Sequence, residues 1–547
     1  MSKISEEWPQ RLRGGQLVID SFAALGADVI FGEPGQHALP MWEGLRNSTV
    51  RYVGLRTELD AAFAADGYAR VAGKPAPLLL STGPGALISL AGLMEAANSA
   101  VPIVAVLAQI PSDGLGGRRK GFVHELDDQL ASFSPIVKRT YPVRHASVIP
   151  DVLAEAYRLA HTAPHGPVVV EIPVDVLADE VNLPAPLRLD GLPAGGPPVR
   201  EDVAERVSTL LQNASSVVMI AGGGLVRSGA FDEFALLATT LNANVVTTHT
   251  GRGSFPEDHP LFAGATGDDA AVNELIGAAE VVLCFGSKIG EETSGHFSLK
   301  ISGTLIQVDP EPRNIGTNYA AIPFVADAKE ALHALLDRVG TPSGSGRAES
   351  NAVAAKDRIQ SDLIRQGRGA ELAVMDVIRK AWPEEAVTAW DMTILGYWST
   401  QYFPVLNPRT YIYPHGSGSL GYAMPAAIGA AAAQPSSPVL AVVGDGGSMY
   451  GLSTLAVAKQ YNLQVRFLIS NNNAYGVLRE YQMEDFGVTH GVELEQPDFA
   501  ALCTAFGVPV RTATPDTLGE QLDWALQQDG PAAVVLAATP VMFQPTA

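Results

Sequence analysis

The stretch VLAVVGDGGSMYGLSTLAVAKQYNLQVRFLISNNN, Val439–Asn473, decides the reading of the chain. It opens with an apolar run, Val439–Val443, that reads as a buried parallel strand. Gly444-Asp445-Gly446-Gly447 follows, then Ser448 and an amphipathic stretch, Ser453–Tyr461. A second run, Arg466–Ile469, ends in Ser470 and three asparagines. Flanking glycines let the backbone approach a ligand closely. A Gly-rich turn that feeds a helix presents unpaired N–H groups to an anion. An aspartate beside a phosphate makes sense only with a cation between them, so the turn predicts a diphosphate held through Mg2+. Strand, helix and strand return the chain to the same sheet edge. Asn472, just past the second strand, is thereby placed where its oxygen can share the ion with Asp445.

The same alternation runs through the rest of the chain. Strands are predicted at Pro77–Leu80, Ile103–Leu107, Val168–Ile172, Val217–Ile220, Val281–Phe285 and Leu305–Val308. Helices are predicted at Thr57–Val71 and Asp151–His161. Strands alternating with helices imply parallel sheets covered on both faces, with ligands beyond the carboxyl ends of the strands. Pro- and Gly/Ser-rich tracts at Val181–Arg200 and Gly340–Asn351 read as linkers. The expected fold class is therefore α/β, with three doubly wound parallel-sheet domains at residues 1–182, 195–338 and 352–547. The first and third echo each other: Ala65–Arg70 leads to Ser81-Thr-Gly-Pro-Gly85, and Pro425–Ala430 leads to Gly444–Gly447. Two related domains flanking a third are expected.

Composition bounds the function. The chain has 547 residues, 47% apolar and 17% charged, which fits a folded protein of about three or four domains. Lys plus Arg total 37 and Asp plus Glu 58, a net charge of −21 that argues against nucleic acid or anionic membranes as partners. Cys284 and Cys503 are too few for a disulfide framework, so a cytoplasmic protein is expected. The N-terminus lacks the apolar core of a signal peptide, and no apolar run reaches about 18 residues. One competing motif stands out. Gly416-Ser-Gly-Ser-Leu-Gly421 fits G-x-G-x-x-G, with an acid, Asp445, after the next strand, as in an NAD-dependent oxidoreductase. A ribose-binding acid ends its strand, whereas Asp445 sits inside a glycine turn, so the metal–diphosphate reading is preferred.

Gly444-Asp445-Gly446, followed one helix and one strand later by Asn471-Asn472, resembles the thiamine diphosphate (ThDP) signature. The resemblance extends along nearly the whole chain, to the acetolactate synthase and benzoylformate decarboxylase-like group. It is carried by Phe31-Gly-Glu-Pro-Gly35, Glu58, Ala65–Arg70, Ser81–Gly85, Gln109-Ile-Pro111, Val308–Gly316, Gly421–Gly429 and Asn472–Arg479. It implies a pyrimidine-binding, a middle and a diphosphate-binding domain, and a homodimer or homotetramer whose sites lie at subunit interfaces.

The resemblance also implies roles. Glu58 matches the glutamate that hydrogen-bonds the pyrimidine, a task that needs a raised pKa. Asp445, Asn472 and the carbonyl of Ala474 match the Mg2+ ligands. Gly444, Gly446, Gly447 and Ser448 would meet the diphosphate. Gly35, Ser81, Gly83, Gly418 and Tyr475 complete the expected cofactor contacts. Leu420 matches the bulky residue that bends the cofactor. His37 and Gln109 are candidate catalytic residues, and His415, His124 and Glu125 are weaker site candidates. Arg118, Arg119 and Lys120 form a basic turn, read first as solvated.

The reaction class that follows is C–C cleavage or formation beside a carbonyl. Decarboxylation of a 2-oxo acid with carboligation is expected; a simple decarboxylase or a 2-hydroxyacyl or aldehyde lyase is the alternative. Departures from the relatives leave the substrate open. Tyr481 stands where the synthases have a tryptophan, Ile394-Leu395 where they have a Gln-His pair, and Leu79 where the decarboxylase has a histidine. A non-catalytic ThDP-fold subunit is disfavoured because Glu58, Asp445 and Asn472 are all present. Acetolactate synthases carry FAD in the middle domain. Gly222–Gly224 and Thr247–Gly253 lie in that region, but the synthases' arginine-bearing acidic pair is replaced around Lys288–Glu292, so no FAD is expected.

Overall fold

The computed structural model describes residues 10–117, 119–189, 196–340 and 346–546. Arg118, the N-terminal segment and the centres of both expected linkers lie outside the described residues. Three parallel six-stranded sheets organise the chain. By contacts it divides into two units: residues 1–194 with Ile428–Gln434, and residues 195–427 with 435–547.

The first unit holds one sheet. Across it the strands run Arg51–Gly54, Val29–Gly32, Ala76–Leu80, Ile103–Gln109, Val168–Pro173 and Arg139–Pro142. The central strands are buried along their whole length, which is why they read as unbroken apolar runs. The helix Glu58–Ala72 starts on a Thr57 cap, whose hydroxyl accepts from Asp60 N at 3.1 Å. It ends at Gly73 in the left-handed region, φ +68°. A buried charge cluster fixes it sideways: Arg70 pairs with Asp66 at 2.5 Å and, on the helix Leu90–Asn98, with Glu95 at 2.7 Å. Part of the first expected linker is ordered, since Glu180–Leu183 pairs antiparallel with Gln10–Arg13.

The second unit holds two sheets. One runs Phe262–Ala265, Asn244–Thr247, Val217–Ala221, Val281–Phe285, Thr304–Asp309, Ile322–Val325. The other runs Tyr411–Ile412, Thr388–Trp390, Val439–Gly444, Val465–Asn471, Ala532–Ala537, Val510–Ala513. Numbered within its own domain, the first unit's sheet has the order 2-1-3-4-6-5, and so has this last sheet; the sheet between them has 3-2-1-4-5-6. The expected echo between the outer domains is thus a shared topology. The helix Ala348–Arg365 begins inside the second expected linker, because Ala352 and Ala355 pack into the core beneath the 3-2-1-4-5-6 sheet.

A buried ion pair ties the two sheets of this unit together. Arg252 meets Glu257 at 2.5 and 2.6 Å and donates to the carbonyls of Ser399, Thr400 and Phe403, which end the helix Ile394–Tyr402. No helix among the described residues is long and apolar enough to cross a membrane.

Candidate active site

In a 2-1-3-4 sheet the chain leaves strands 1 and 3 in opposite directions, opening a crevice beyond their carboxyl ends. In the first unit that crevice lies between the turns after Val29–Gly32 and Ala76–Leu80. A Cβ on Gly35 would stand 2.3 Å from Ser81 Oγ, so only glycine lets these turns meet. Gly83 has φ +60°, and a Cβ on Gly85 would stand 2.9 Å from Glu58 Oε1. Glu58, in the first turn of its helix, therefore lies against Ser81–Gly85. Burial raises its pKa. Burial likewise raises that of Glu33, and the charge of Glu58 adds to the effect. The Ser81 hydroxyl is buried without a hydrogen-bond partner among the described residues, as is His37 Nδ1. The His37 ring stands 5.6 Å from that of His124, and burial, with that neighbour, lowers its pKa.

Gln109 lies deeper. Its Nε2 donates to Glu171 at 2.9 Å, and its Oε1 accepts from Ile110 N at 2.8 Å and the Thr82 hydroxyl at 3.2 Å. Its amide is spent inside the domain, directly behind the Ser81–Gly83 turn. Gln129, absent from the sequence reading, does more for that turn: its Oε1 accepts from Gly83 N at 2.9 Å and the Thr82 hydroxyl at 2.7 Å. Glu125 is held by Gly121 N, Phe122 N and Lys120, which keep its pKa low. Arg119 pairs with Asp113 at 2.9 Å.

In the second unit the corresponding crevice lies between Thr388–Trp390 and Val439–Gly444. Leu420, Gly444, Asp445, Gly446, Gly447, Asn472, Ala474 and Tyr475 line one cleft there. Asp445 is buried, and burial raises its pKa. Its Oδ2 accepts from Ala474 N at 3.2 Å. No Lys or Arg pairs with it among the described residues, so this buried carboxylate has room for a cation. A carboxylate, the Asn472 amide and a backbone carbonyl are the oxygen donors Mg2+ prefers. Asn473 takes φ +54°, a conformation asparagine tolerates, between the two last named residues. The glycines are again obligatory: a Cβ would meet the Tyr475 ring at 2.6 Å from Gly446, Asp391 Oδ1 at 2.9 Å from Gly447, and Asn472 Nδ2 at 2.7 Å from Gly476. Ser448 is turned inward, its hydroxyl donating to Asp445 O at 2.8 Å. Gly418, φ +64°, shapes the loop that carries Leu420.

Asp391 was missed by the sequence reading. Fully buried, its Oδ1 accepts from Met392 N at 2.9 Å and Gly421 N at 3.1 Å, and its Oδ2 from Ala423 N at 2.9 Å. It thereby clamps the Gly416–Gly421 loop to the end of its own strand. Burial pushes its pKa up to about 6, against the pull of those N–H groups. The available signal was an acid directly after an apolar strand, ahead of a glycine loop. Met392, Thr393 and Ile394 also line the cleft, whereas Leu395 is buried behind it. Gly416–Gly421 forms a turn, and the helix starts only at Ala423. His415 stands apart from this cleft's lining and meets Glu292 and His249.

The comparisons with known proteins agree with this geometry. Three profiles described as the N-terminal TPP binding domain, central domain and C-terminal TPP binding domain of thiamine pyrophosphate enzymes match residues 12–132, 204–335 and 391–536. A probable 2-ketoarginine decarboxylase of Pseudomonas aeruginosa is 34% identical over 92% of this chain and 90% of its own. A probable acetolactate synthase large subunit of Methanocaldococcus jannaschii is 29% identical over 98% and 93%. An acetolactate synthase large subunit of Corynebacterium glutamicum is 30% identical over 87% and 77%. The chain belongs to the thiamine pyrophosphate enzyme family, thiamine pyrophosphate and ThDP being one compound.

Proposed function

We propose that this ThDP-dependent enzyme also requires Mg2+ and decarboxylates a 2-oxo acid, passing the remaining carbonyl unit to a second carbonyl in the manner of an acetolactate synthase. The observation that carries this reading is the buried Asp445, without a cationic partner among the described residues, beside Asn472, Ala474 and a row of crowded glycines. Asp445, Asn472 and the Ala474 carbonyl would hold the ion. The N–H groups of Gly446 and Gly447 would meet the diphosphate, with Gly444 at the strand end, Ser448 and Tyr475 beside them. Leu420, on a loop shaped by Gly418, would bear on the cofactor between its rings. Gly35, Ser81 and Gly83 would accept the pyrimidine.

When bound, ThDP supplies a carbon nucleophile and an electron sink that lets a carboxyl group leave as CO2. The protein's part is to orient it and to manage protons. Glu58, its pKa raised by burial, is suited to share a proton with a ring nitrogen at neutral pH. His37, whose buried Nδ1 has no hydrogen-bond partner among the described residues, is the candidate donor or acceptor toward substrate. Gln109 acts behind the turn, as a positioning residue.

A simple 2-oxo acid decarboxylase is the second reading. Ile394 supports it, since an apolar side chain in the cleft offers no donor to an acceptor carbonyl. The relative named a probable 2-ketoarginine decarboxylase points the same way. A 2-hydroxyacyl or aldehyde lyase would use the same residues. No flavin is assigned: the Gly222–Gly224 turn packs directly on Gly286, where a Cβ on Gly224 would stand 2.7 Å from the Gly286 Cα. Exposed Met449 and Tyr450, next to the cleft glycines, support a dimer or tetramer that covers them. A cytoplasmic location fits two buried free cysteines.

Calorimetric titration with ThDP should show binding that needs Mg2+ and is lost in Asp445→Ala. CO2 release from a panel of 2-oxo acids, with and without an aldehyde, then separates ligation from simple decarboxylation. ThDP binding that ignores Mg2+ and Asp445 overturns the assignment.

A further inference from the structure

The Mg2+ reading leaves a second cluster of metal-ligating side chains unexplained. His249 follows the strand Asn244–Thr247, Glu292 follows Val281–Phe285 and His415 follows Tyr411–Ile412. All three thus stand beyond the carboxyl ends of parallel strands, where such sheets bind ligands. Glu292 Oε2 lies 3.5 Å from His249 Nδ1 and 3.2 Å from His415 Nδ1. The two imidazoles meet edge to face, centroids 5.1 Å apart. One ligand atom from each of the three residues keeps the set within 4.8 Å of one another. Around Zn2+, with bonds of about 2.0–2.2 Å, tetrahedral ligand atoms stand roughly 3.3 Å apart.

We propose that His249, Glu292 and His415 form a metal site for a Zn2+-class divalent ion. The donor set, two imidazoles and one carboxylate, is borderline-soft and suits Zn2+ or Co2+, whereas the all-oxygen set at Asp445 suits Mg2+. A second observation supports an absent ligand. Gln401, 8% exposed, places its Nε2 2.8 Å from His249 Nε2, and its Oε1 is buried without a hydrogen-bond partner among the described residues. Two nitrogens at that distance leave His249 Nε2 bare and put its proton on Nδ1, toward Glu292. A metal on Nδ1 sends that proton to Nε2, and rotation of the Gln401 amide lets the orphaned oxygen accept it. A histidine that binds metal through one nitrogen and donates from the other to a held oxygen is the usual outer-shell arrangement. Asp268 Oδ2 accepts from the same Nε2 at 2.9 Å, so the rotated amide exchanges that bond for one from the His249 N–H.

Three protein ligands leave the fourth position open. Glu292 and His415 are partly exposed, so that position faces solvent and takes water or a substrate oxygen. The helix Ile394–Tyr402 carries Ile394 into the cofactor cleft and Gln401 to this cluster, about 10 Å apart at 1.5 Å per residue.

The test is a Co2+ titration of chelator-stripped protein, run alone and again with ThDP and Mg2+. One equivalent should bind in both, with the visible absorption of a tetrahedral Co2+ centre, and Zn2+ should displace it. Glu292→Gln and His415→Asn should each weaken binding at least ~100-fold, and Gln401→Leu ~10–100-fold. Asp445→Asn should leave the Co2+ spectrum intact. The proposal is overturned if no such band appears, if Glu292→Gln leaves it unchanged, or if Asp445→Asn abolishes it. Loss of ThDP binding would refute the proposed function while leaving this result standing.

Discussion

Asp391→Asn separates cofactor positioning from stability. The carboxylate accepts from Met392, Gly421 and Ala423 N–H groups in a fully buried site. Asparagine keeps the shape but turns an NH2 toward one of these donors. One buried N–H then loses its acceptor, at about 1–3 kcal/mol. Against this, the wild-type protein carries a charge that burial disfavours. Its pKa rises from 3.8 unfolded to about 6 folded, worth about 3 kcal/mol at roughly 1.36 kcal/mol per pKa unit. The sign follows from linkage. A raised folded pKa contributes stability below pH 3.8, and that contribution is lost as pH climbs through about 6. The two effects offset near neutrality, so the variant should unfold within about 2 kcal/mol of wild type there. Between about pH 4 and 7 it should gain about 3 kcal/mol relative to wild type. Its loop, however, loses a clamp on the segment carrying Leu420. If the roughly 1–3 kcal/mol falls on the ThDP-binding conformation, affinity drops roughly 5- to 150-fold. Urea unfolding of the cofactor-free protein across that pH range, with ThDP titration by fluorescence, measures both. Unchanged ThDP affinity together with a pH-independent stability difference would refute the reasoning.

Glu58→Gln should cut turnover of any accepted 2-oxo acid by roughly 10²–10⁴-fold while Mg2+-dependent ThDP binding persists, read by steady-state kinetics beside calorimetry. Arg252→Met strands Glu257 in a buried site and should destabilise the protein by about 3–5 kcal/mol in urea; the double variant Arg252→Met/Glu257→Leu should recover only part of this, since the Ser399, Thr400 and Phe403 carbonyls stay unpaired. Gly446→Ala drives a methyl to 2.6 Å from the Tyr475 ring, so ThDP affinity should fall at least tenfold with the thermal midpoint of the cofactor-free protein little changed.

The eight strands predicted from apolar runs all fall inside observed strands, because central strands of parallel sheets are buried on both faces and leave an unbroken signal. Several unpredicted ones are edges or fragments, but Val29–Gly32, Asn244–Thr247 and Ala532–Ala537 are interior and buried and were missed as well. Arg51–Gly54 and Arg139–Pro142 are partly exposed, and Thr388–Trp390 is very short. With that last strand unread, Asp391 had no context. Asp445 and Asn472 could be proposed because each sits beside glycines that a Cβ would crowd, whereas Glu58 was picked out through the resemblance. Gln129 was not, since the Thr82 it supports lies far back along the chain, on another element. His415 and His249 come from different sheets and from widely separated parts of the chain, and periodicity carries nothing about such a meeting.

Two sheets of one topology have been put to different chemical use, and the difference lies in where the acid emerges. In the C-terminal TPP binding domain Asp445 comes straight off the strand, at the crevice floor, where the Ala474 N–H reaches it. In the N-terminal TPP binding domain the turn at that place, Ser81–Gly85, carries no acid, and Glu58 arrives from the first turn of the preceding helix. Burial raises the pKa of the carboxylate at the floor as well, and a bound metal, as proposed, would favour its charged form. Glu58, resting against Ser81–Gly85, keeps its proton longer, because burial raises its pKa without help from an ion. Both arrangements demand glycine where the two strand ends meet, at Gly35 against Ser81 and at Gly447 against Asp391. A net charge of −21 is therefore no obstacle to an anionic cofactor: in the proposed reading the groups that would receive the diphosphate are backbone N–H donors, and the acid beside them would hold a cation.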